Sequence, residues 1–422
     1  MLIKPIDNFF KVLLPRFSCS HTVILTLFHN LSTNKSLSFR FHICILYYKI
    51  IIMTKVASFI KRELVLFIVA LFALASMYFA PPWVQFISHI DWSVLAILFC
   101  LMVVTAGLRK LGILDFMSNK MLARTTSVKY FSILLINIVF VSSMFVTNDV
   151  ALIVFIPLTI ESLAHAGRKK LVFVIVMETL AANLGSMLTP IGNPQNLYIY
   201  SFYQLDILSF FKQVLPVGAI SYIIIMLIML VSKNDKMLIV FEEKLNTKNI
   251  KKPLLYYIAL FILCILTVLR ILDYKICILI IFIATLIVDR QLLKKVDYGL
   301  LLTFISFFIF VGNLQEIKVV RHAIIVFLEG KVFIASILAS QILSNVPAAI
   351  MIADFTNESM NLLLGVNIGG LGTPIASLAS LISFRFYFRS ENAEPGKFLL
   401  VFSIYNILIL IFLATLFFYL KV

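Results

Sequence analysis

Long runs of apolar residues, with Lys and Arg confined to short clusters between them, occupy most of the chain. A run of about 20 apolar residues can cross a bilayer as a helix. Of the 422 residues, 62% are hydrophobic and 13% are charged, whereas soluble domains average about 25% charged residues. A soluble fold could not cover so much apolar surface. The pattern therefore predicts an all-α polytopic membrane protein with about nine spanning helices and two re-entrant hairpins.

The apolar runs are of three kinds. Continuous runs that predict spanning helices lie near residues 64–80, 92–108, 213–232, 254–272, 276–289, 298–313 and 398–420. Two further segments, 171–200 and 359–384, are interrupted by Gly and Pro. Two more, 130–166 and 332–355, are broken midway by polar triplets, and we expect each to enter and leave the membrane by one face.

The net charge of +16 comes from basic clusters in the loops, which is typical of cytoplasmic membrane loops rather than of a nucleic-acid surface. With both hairpins in place, most Lys and Arg after Met53 fall on one side. This predicts a multi-pass plasma-membrane protein with a cytoplasmic N-terminus and an external C-terminus. The bilayer is an expected partner and nucleic acid is not.

Residues 1–52 differ from the rest, because their apolar stretches are short and broken. A basic start and a clean spanning run follow Met53, so we interpret Met53 as the initiator and 1–52 as a mis-assigned extension. The remaining chain divides into a first helix with a first repeat (53–232), a cytoplasmic linker (233–253) and a second repeat (254–422).

The two halves carry the same features in the same order. Each has a polar triplet inside an apolar run, and then a Gly/Pro-rich interruption containing Thr-Pro-Ile. The triplets are Thr147-Asn148-Asp149 and Ser344-Asn345-Val346, and the interruptions are residues 184–196 and 368–380. In the predicted topology these repeats are inverted. Paired interrupted helices of this kind mark transporter binding sites, because their free backbone groups can face ions.

The polar triplets and the interruptions together predict the binding residues. Candidates for contact with substrate or ion are Thr147, Asn148, Asp149, Thr189, Asn193, Asn196, Ser344, Asn345 and Thr373. Helix capping or polar contact between helices is the structural alternative for these residues. Asp149 and Glu178 are candidate coupling carboxylates, because charged groups inside a membrane need an ion, water or a partner. Whether they would bind sodium or exchange a proton stays open.

The sequence lacks the residues that other functional classes require. The chain has no HExxH motif and no CxxC pair, and we expect neither an enzyme nor a protein-bound metal or cofactor. A channel fits inverted repeats less well than a transporter does.

Four segments carry a resemblance to a known family. They are TNDVALIVFIPL, GSMLTPIGNPQN, SQILSNVPAAIMI and NIGGLGTPIASLASLIS. They resemble the ion transporter superfamily, and within it the citrate-transporter-like permeases, which include divalent-anion/sodium symporters and the membrane subunits of arsenite pumps.

The resemblance implies a scaffold part and a transport part, a homodimer, and binding of substrate and sodium at the two triplets. It further implies a secondary active transporter that moves a small anion, a carboxylate or an inorganic oxyanion, with a sodium or proton gradient. A sodium/proton antiporter or an arsenite-type efflux permease is the alternative, because the Thr-Asn-Asp triplet is more similar to those branches.

Overall fold

A computed structural model describes residues 64–79, 86–112, 127–163, 167–232, 251–390 and 393–419. The regular elements in these ranges are α-helices and short 3-10 helices, which confirms the all-α prediction. The predicted extension 1–52 and most of the predicted linker lie outside the described residues.

The first half contains seven described helices. They are α1 Leu64–Phe79, α2 Trp92–Lys110, α3 Val128–Val146, α4 Asn148–Ser162, α5 Arg168–Ser186, α6 Pro194–Phe202 and α7 Ile207–Val231. Several of these helices have an aspartate as their N-cap, just before the apolar run. Asp91 accepts a hydrogen bond from the Val94 amide at the start of α2, and Asp206 caps α7 in the same way.

The second half begins at Lys251, inside the segment predicted as linker. Its described helices are α8 Lys251–Val268, α9 Tyr274–Asp289, α10 Tyr298–Glu316, α11 Lys318–Leu328, α12 Val332–Leu343, α13 Asn345–Ala353, α14 Ser359–Gly369, α15 Leu378–Phe388 and α16 Pro395–Tyr419. Two 3-10 helices, Arg290–Lys295 and Pro374–Ala376, lie between them.

Six helical segments among the described residues are long and apolar enough to cross a membrane. They are α2, α3, α7, α10, α16 and the segment Tyr274–Lys295, which joins α9 to its 3-10 helix. The bent pair α11–α12 makes a seventh if it is one span. The protein is therefore polytopic, while the number of nine spans and the two re-entrant hairpins stay predictions.

Equivalent helices of the two predicted repeats each pack against the other repeat. Helix α3 packs on α5 in the first repeat, and α12 packs on α14 in the second. Helix α15 of the second repeat contacts α4 of the first, while α6 of the first contacts α13 of the second. Helices α16 and α7 make the same crossed contacts, with α5 and α14 respectively. Residues of both repeats therefore meet in one interior within the unit Val65–Val422.

Small residues permit the closest helix contacts. A Cβ added at Gly185 of α5 would lie 2.6 Å from Ser143 Oγ of α3, and closer still to the Phe140 carbonyl oxygen. At the matching point of the second repeat, a Cβ on Gly369 would lie 2.9 Å from Ser340 Oγ of α12. Both interrupted helices thus press on their hairpin helix at a glycine.

Contacts between helix ends join the starts of α3 and α5 to α7 and to the residue before α16. Lys129, at the start of α3, donates a hydrogen bond to the Leu230 carbonyl at the end of α7. Arg168, at the start of α5, pairs with Glu394 just before α16 at 3.1 Å. Helix α4 ends at Ser162, shortly before α5 begins.

Candidate functional site

The chain breaks at Thr147, between α3 and α4, and at Ser344, between α12 and α13, and both breaks have nearly the same backbone conformation. Thr147 has φ 71° and ψ 151°, and Ser344 has φ 78° and ψ 155°. Residues with a side chain rarely adopt this region, at a cost of roughly 1–3 kcal/mol each. Its occurrence at both polar triplets, which we call the first tip (147–149) and the second tip (344–346), shows that the two triplets are structurally equivalent.

An asparagine follows each strained residue and turns its side chain back on the helix start. The Asn148 Oδ1 accepts the Asp149 amide, and the Asn345 Oδ1 accepts the Val346 amide, both at 2.9 Å. These bonds fix each amide oxygen on the backbone and leave the NH2 group pointing elsewhere. Both asparagines are buried.

Two polar bridges connect the repeats in a reciprocal way. Asn193, in the first interruption, donates to Asn367 Oδ1 of α14 at 3.2 Å. Ser377, in the second interruption, donates to Asn183 Oδ1 of α5 at 2.8 Å. Each interruption thus binds an asparagine that precedes the interruption of the other repeat.

Asn193 and Asn196 are predicted site residues that already have protein partners. Asn193 caps α6 by accepting the Asn196 amide at 2.9 Å, and its NH2 group also reaches Ser186 Oγ. Asn196 is fully buried, donates to the carbonyls of Met187 and Thr189, and accepts from Asn367. Their described bonds hold the interruption in shape.

Thr189 and Thr373, also predicted site residues, make equivalent bonds. The Thr189 hydroxyl donates to the Met144 carbonyl of α3, and the Thr373 hydroxyl donates to the Gln341 carbonyl of α12 at 3.1 Å. Each hydroxyl therefore ties its interruption to the hairpin helix beside it.

The first tip combines a hydrogen-bond donor and a carboxylate that both have open atoms. Asn183 Oδ1 accepts from Asn148 at 3.2 Å and from Ser377, while its buried Nδ2 has no partner in the described structure. Asp149, adjacent to Asn148, likewise has a buried Oδ1 without a described partner. The orientation of the Asn183 amide follows from these bonds, since Asn148 Oδ1 is occupied by the Asp149 amide. At the equivalent of Asp149, the second tip has Val346.

Glu178 lies apart from the tips, in the middle of α5. It is fully buried, and its Oε1 is 2.6 Å from the Thr159 hydroxyl of α4. That hydroxyl is also 3.0 Å from the Phe155 carbonyl, although it has one proton to donate. A neutral Glu178 that donates to Thr159 would satisfy both contacts. The structure therefore does not bring Glu178 together with Asp149.

Sequence reasoning overlooked Asn183, Asn367, Ser186 and Ser377. A signal for two of them was present, because Asn183 and Asn367 each stand six residues before the Thr of a Thr-Pro-Ile. The repeat comparison began after Asn183 and therefore did not include this pair. The hydrogen bond from Ser377 to Asn183 joins the two repeats, so no local spacing in the sequence predicts it.

Comparison with known proteins places the chain in a family. Residues 48–358 match the citrate transporter family, CitMHS, and the chain belongs to it. It is 37% identical over 328 residues to the uncharacterized transporter MJ0456 of Methanocaldococcus jannaschii, with 77% of this chain and 89% of that protein covered. It is 30% identical over 312 residues to the inner membrane protein YbiR of Escherichia coli, with 73% of this chain and 82% of that protein covered.

A shorter similarity reaches a plant transporter. The silicon efflux transporter LSI3 of Oryza sativa is 30% identical to the chain over 129 residues, which are 31% of this chain and 26% of that protein. Together with the apolar helices, the family match shows that the chain is a multi-pass membrane transporter, as the resemblance implied.

Proposed function

We propose that the chain is a secondary active transporter of a small anion, a carboxylate or an inorganic oxyanion, driven by a sodium or proton gradient. The observation that carries this proposal is the pair of open atoms at the first tip. The Asn183 NH2 group can donate to an anion, and the Asp149 carboxylate can hold a cation. A donor for an anion and a carboxylate for a cation, on residues linked through Asn148, suit transport of an anion together with a cation.

The tip backbones support the anion half of the proposal. Helices α4 and α13 both begin at a tip, so their first amide groups and the positive ends of their dipoles lie there. The short α13 contributes through its tip asparagine more than through its dipole. An anion between the tips would accept hydrogen bonds from Asn148, Asn345 and Asn183.

The cation half of the proposal rests on Asp149 and on backbone oxygens near it. Hard cations such as sodium take oxygen ligands, and an ionised Asp149 supplies them. Alternatively, a proton carried by the same carboxylate would couple transport to a proton gradient. Because Val346 stands where the first tip has Asp149, we assign this function to the first tip alone, and Glu178 is a second candidate to carry a proton.

Transport by the purified protein in proteoliposomes tests the proposal, with citrate and inorganic oxyanions as probes under separately imposed sodium and pH gradients. Asp149→Asn keeps the side-chain shape and removes the charge. We expect it to lose gradient-driven accumulation, by tenfold or more, while exchange of internal and external anion continues.

Asp206→Asn is the matched control, because Asp206 caps α7 outside the site; its gradient dependence should remain that of the wild type. Unchanged gradient dependence in Asp149→Asn would remove that carboxylate from the coupling. Exchange of sodium for protons without movement of any anion would instead favour an antiporter, and efflux of arsenite without cation coupling would favour an efflux permease.

A further inference from the structure

The two tip asparagines use their NH2 groups differently. Asn148 Nδ2 donates to Asn183 Oδ1 at 3.2 Å. Asn345 Nδ2 makes no hydrogen bond to any described residue, although Asn345 Oδ1 accepts from the Val346 amide at 2.9 Å. Because that bond fixes the orientation of the amide, the open group of Asn345 is a donor. A buried NH2 group without a protein partner is suited to a ligand or to water.

The asparagine equivalent to Asn183 does not take up this donor. It is Asn367, which also stands six residues before the Thr of a Thr-Pro-Ile. Its Oδ1 accepts from Asn193 at 3.2 Å, and its Nδ2 donates to Asn196 Oδ1 at 2.6 Å. Asn367 is thus bonded to the first interruption, and another residue must hold the Asn345 amide in place.

Gly370 lies directly against the open NH2 group. It is buried at the C-cap of α14, and a Cβ added to it would lie 2.8 Å from Asn345 Nδ2. Its φ is −65°, which any residue can adopt, so the backbone does not require a glycine there. An added Cβ would push on the amide, and turning the amide away would break its bond to the Val346 amide. The missing side chain therefore provides the space in which the NH2 group stays open.

The first repeat has a side chain at the position equivalent to Gly370. That residue is Ser186, which stands three residues before the Thr of the first Thr-Pro-Ile. Its Oγ donates to the Asn183 carbonyl at 3.0 Å and accepts from Asn193 at 3.2 Å. At this tip the Asn148 NH2 group already has Asn183 as its partner. The two repeats therefore use the same position differently, and the second repeat keeps it empty.

We propose that Gly370 is a positioning residue for the transported anion. Its missing side chain keeps the Asn345 NH2 group in place, and that group donates to an oxygen of the anion. This inference rests on the proposed function and refines it, because it assigns a donor of the second tip to the anion. Val346 follows Asn345 where Asp149 follows Asn148, so the next residue in the chain does not repel an anion from this donor.

Uptake of citrate and of sulfate by Gly370→Ala in proteoliposomes tests the proposal. We expect the KM for the transported anion to rise about tenfold, with a smaller change in the maximal rate, because a displaced donor weakens binding of the anion.

Gly365→Ala is the matched control on the same helix. Its added Cβ would meet Ser336 and the Phe333 carbonyl of α12 rather than Asn345. It should lower Tm and leave the KM of the folded transporter unchanged. An unchanged KM in Gly370→Ala, or an equal rise in Gly365→Ala, would overturn the proposal.

The double variant Gly370→Ala/Asn345→Ala separates positioning from general packing. Gly370→Ala should have no further effect on KM once residue 345 is alanine, because both changes act through one NH2 group. Equal effects of Gly370→Ala with and without Asn345 would contradict the proposal.

The same cycle of variants, measured as Tm in detergent, needs no anion. Gly370→Ala should lower Tm when Asn345 is present and not when it is alanine; equal losses of Tm would overturn the positioning role. If Gly370→Ala does not fold, the double variant should recover folding, and its failure to do so would also count against the proposal. A wild-type protein that moves no anion would refute the proposed function, while the Tm cycle would still decide the role of Gly370.

Discussion

At the scale of single residues, the two tips share a backbone and differ in charge. Thr147 and Ser344 both have a positive φ, and Asn148 and Asn345 make the same bond to the next amide. The residue equivalent to Asp149 in the second tip is Val346. The two predicted repeats therefore share one tip backbone, while only the first tip carries a carboxylate.

The tip asparagines provide a direct test of this reading. We expect Asn148→Ala and Asn345→Ala each to reduce transport at least tenfold, because loss of a buried partner of the ion costs about 1–3 kcal/mol or more per bond. Uptake per folded transporter in proteoliposomes is the measurement.

Asn137→Ala is the control for the tip variants. Asn137 of α3 accepts from Tyr222 and donates to the Ile133 carbonyl, so its loss also breaks polar contacts, but away from the tips. It should lower stability without a comparable loss of uptake. Normal uptake by both tip variants would place the anion elsewhere.

At the scale of helices, the interruptions hold their shape by bonds to the hairpins. Thr189 and Thr373 donate to carbonyls of α3 and α12, and Asn193 and Ser377 cap the helices that follow. Gly185 and Gly369 let the helix before each interruption approach its hairpin. The shape of each interruption therefore depends on its contacts with α3 or α12.

Replacement of Gly185 by alanine tests this close approach. The new Cβ would strike a backbone carbonyl of α3, which no side-chain rotation can relieve. We expect Gly185→Ala to destabilise the protein by about 1–3 kcal/mol, seen as a lower Tm in detergent.

Gly396→Ala is the matched control, because nothing lies within 4 Å of its added Cβ. It should keep Tm within a degree or two of the wild type or raise it, since alanine favours a helix. Equal Tm values for the two variants would show that α3 and α5 are not in tight contact.

At the scale of the whole molecule, the crossed packing of α15 on α4 and of α6 on α13 builds one interior from two repeats. The reciprocal bridges Asn193–Asn367 and Ser377–Asn183 lie in that interior. A movement that separated the repeats would break both bridges. We therefore expect the paired tips and interruptions to move together as one body when access alternates.

The predicted hairpins can be tested by labelling of single cysteines in a background without native cysteines. Tyr130→Cys and Lys169→Cys should react with an impermeant maleimide from one side of the membrane only, the predicted cytoplasmic side. Lys331→Cys and Asn357→Cys should react only from the other side. Opposite sidedness within either pair would show a full crossing in place of a hairpin, and with it the inverted topology would fail.

Much of the fold and part of the site could be predicted from local patterns. Apolar runs predicted helices. The polar triplets predicted the breaks at Thr147 and Ser344, because polar residues inside an apolar run need partners and often mark an interruption of the helix. The same reasoning could not distinguish residues with open atoms for an ion from residues whose polar groups hold the fold. Asn193 and Asn196 are bonded within the protein, while Asn183, which has an open donor, was not recognised.

The sequence by itself determined the membrane class, the repeats and the family, because composition, periodicity and motif order are local properties of the chain. The tertiary structure alone decided which polar atoms of the described residues remain open. The reason is that a hydrogen bond depends on distance and direction between groups far apart in the chain. Asn183 Oδ1 accepts from Asn148 across 35 residues and from Ser377 across 194 residues, and these two contacts leave the Asn183 NH2 group as an open donor.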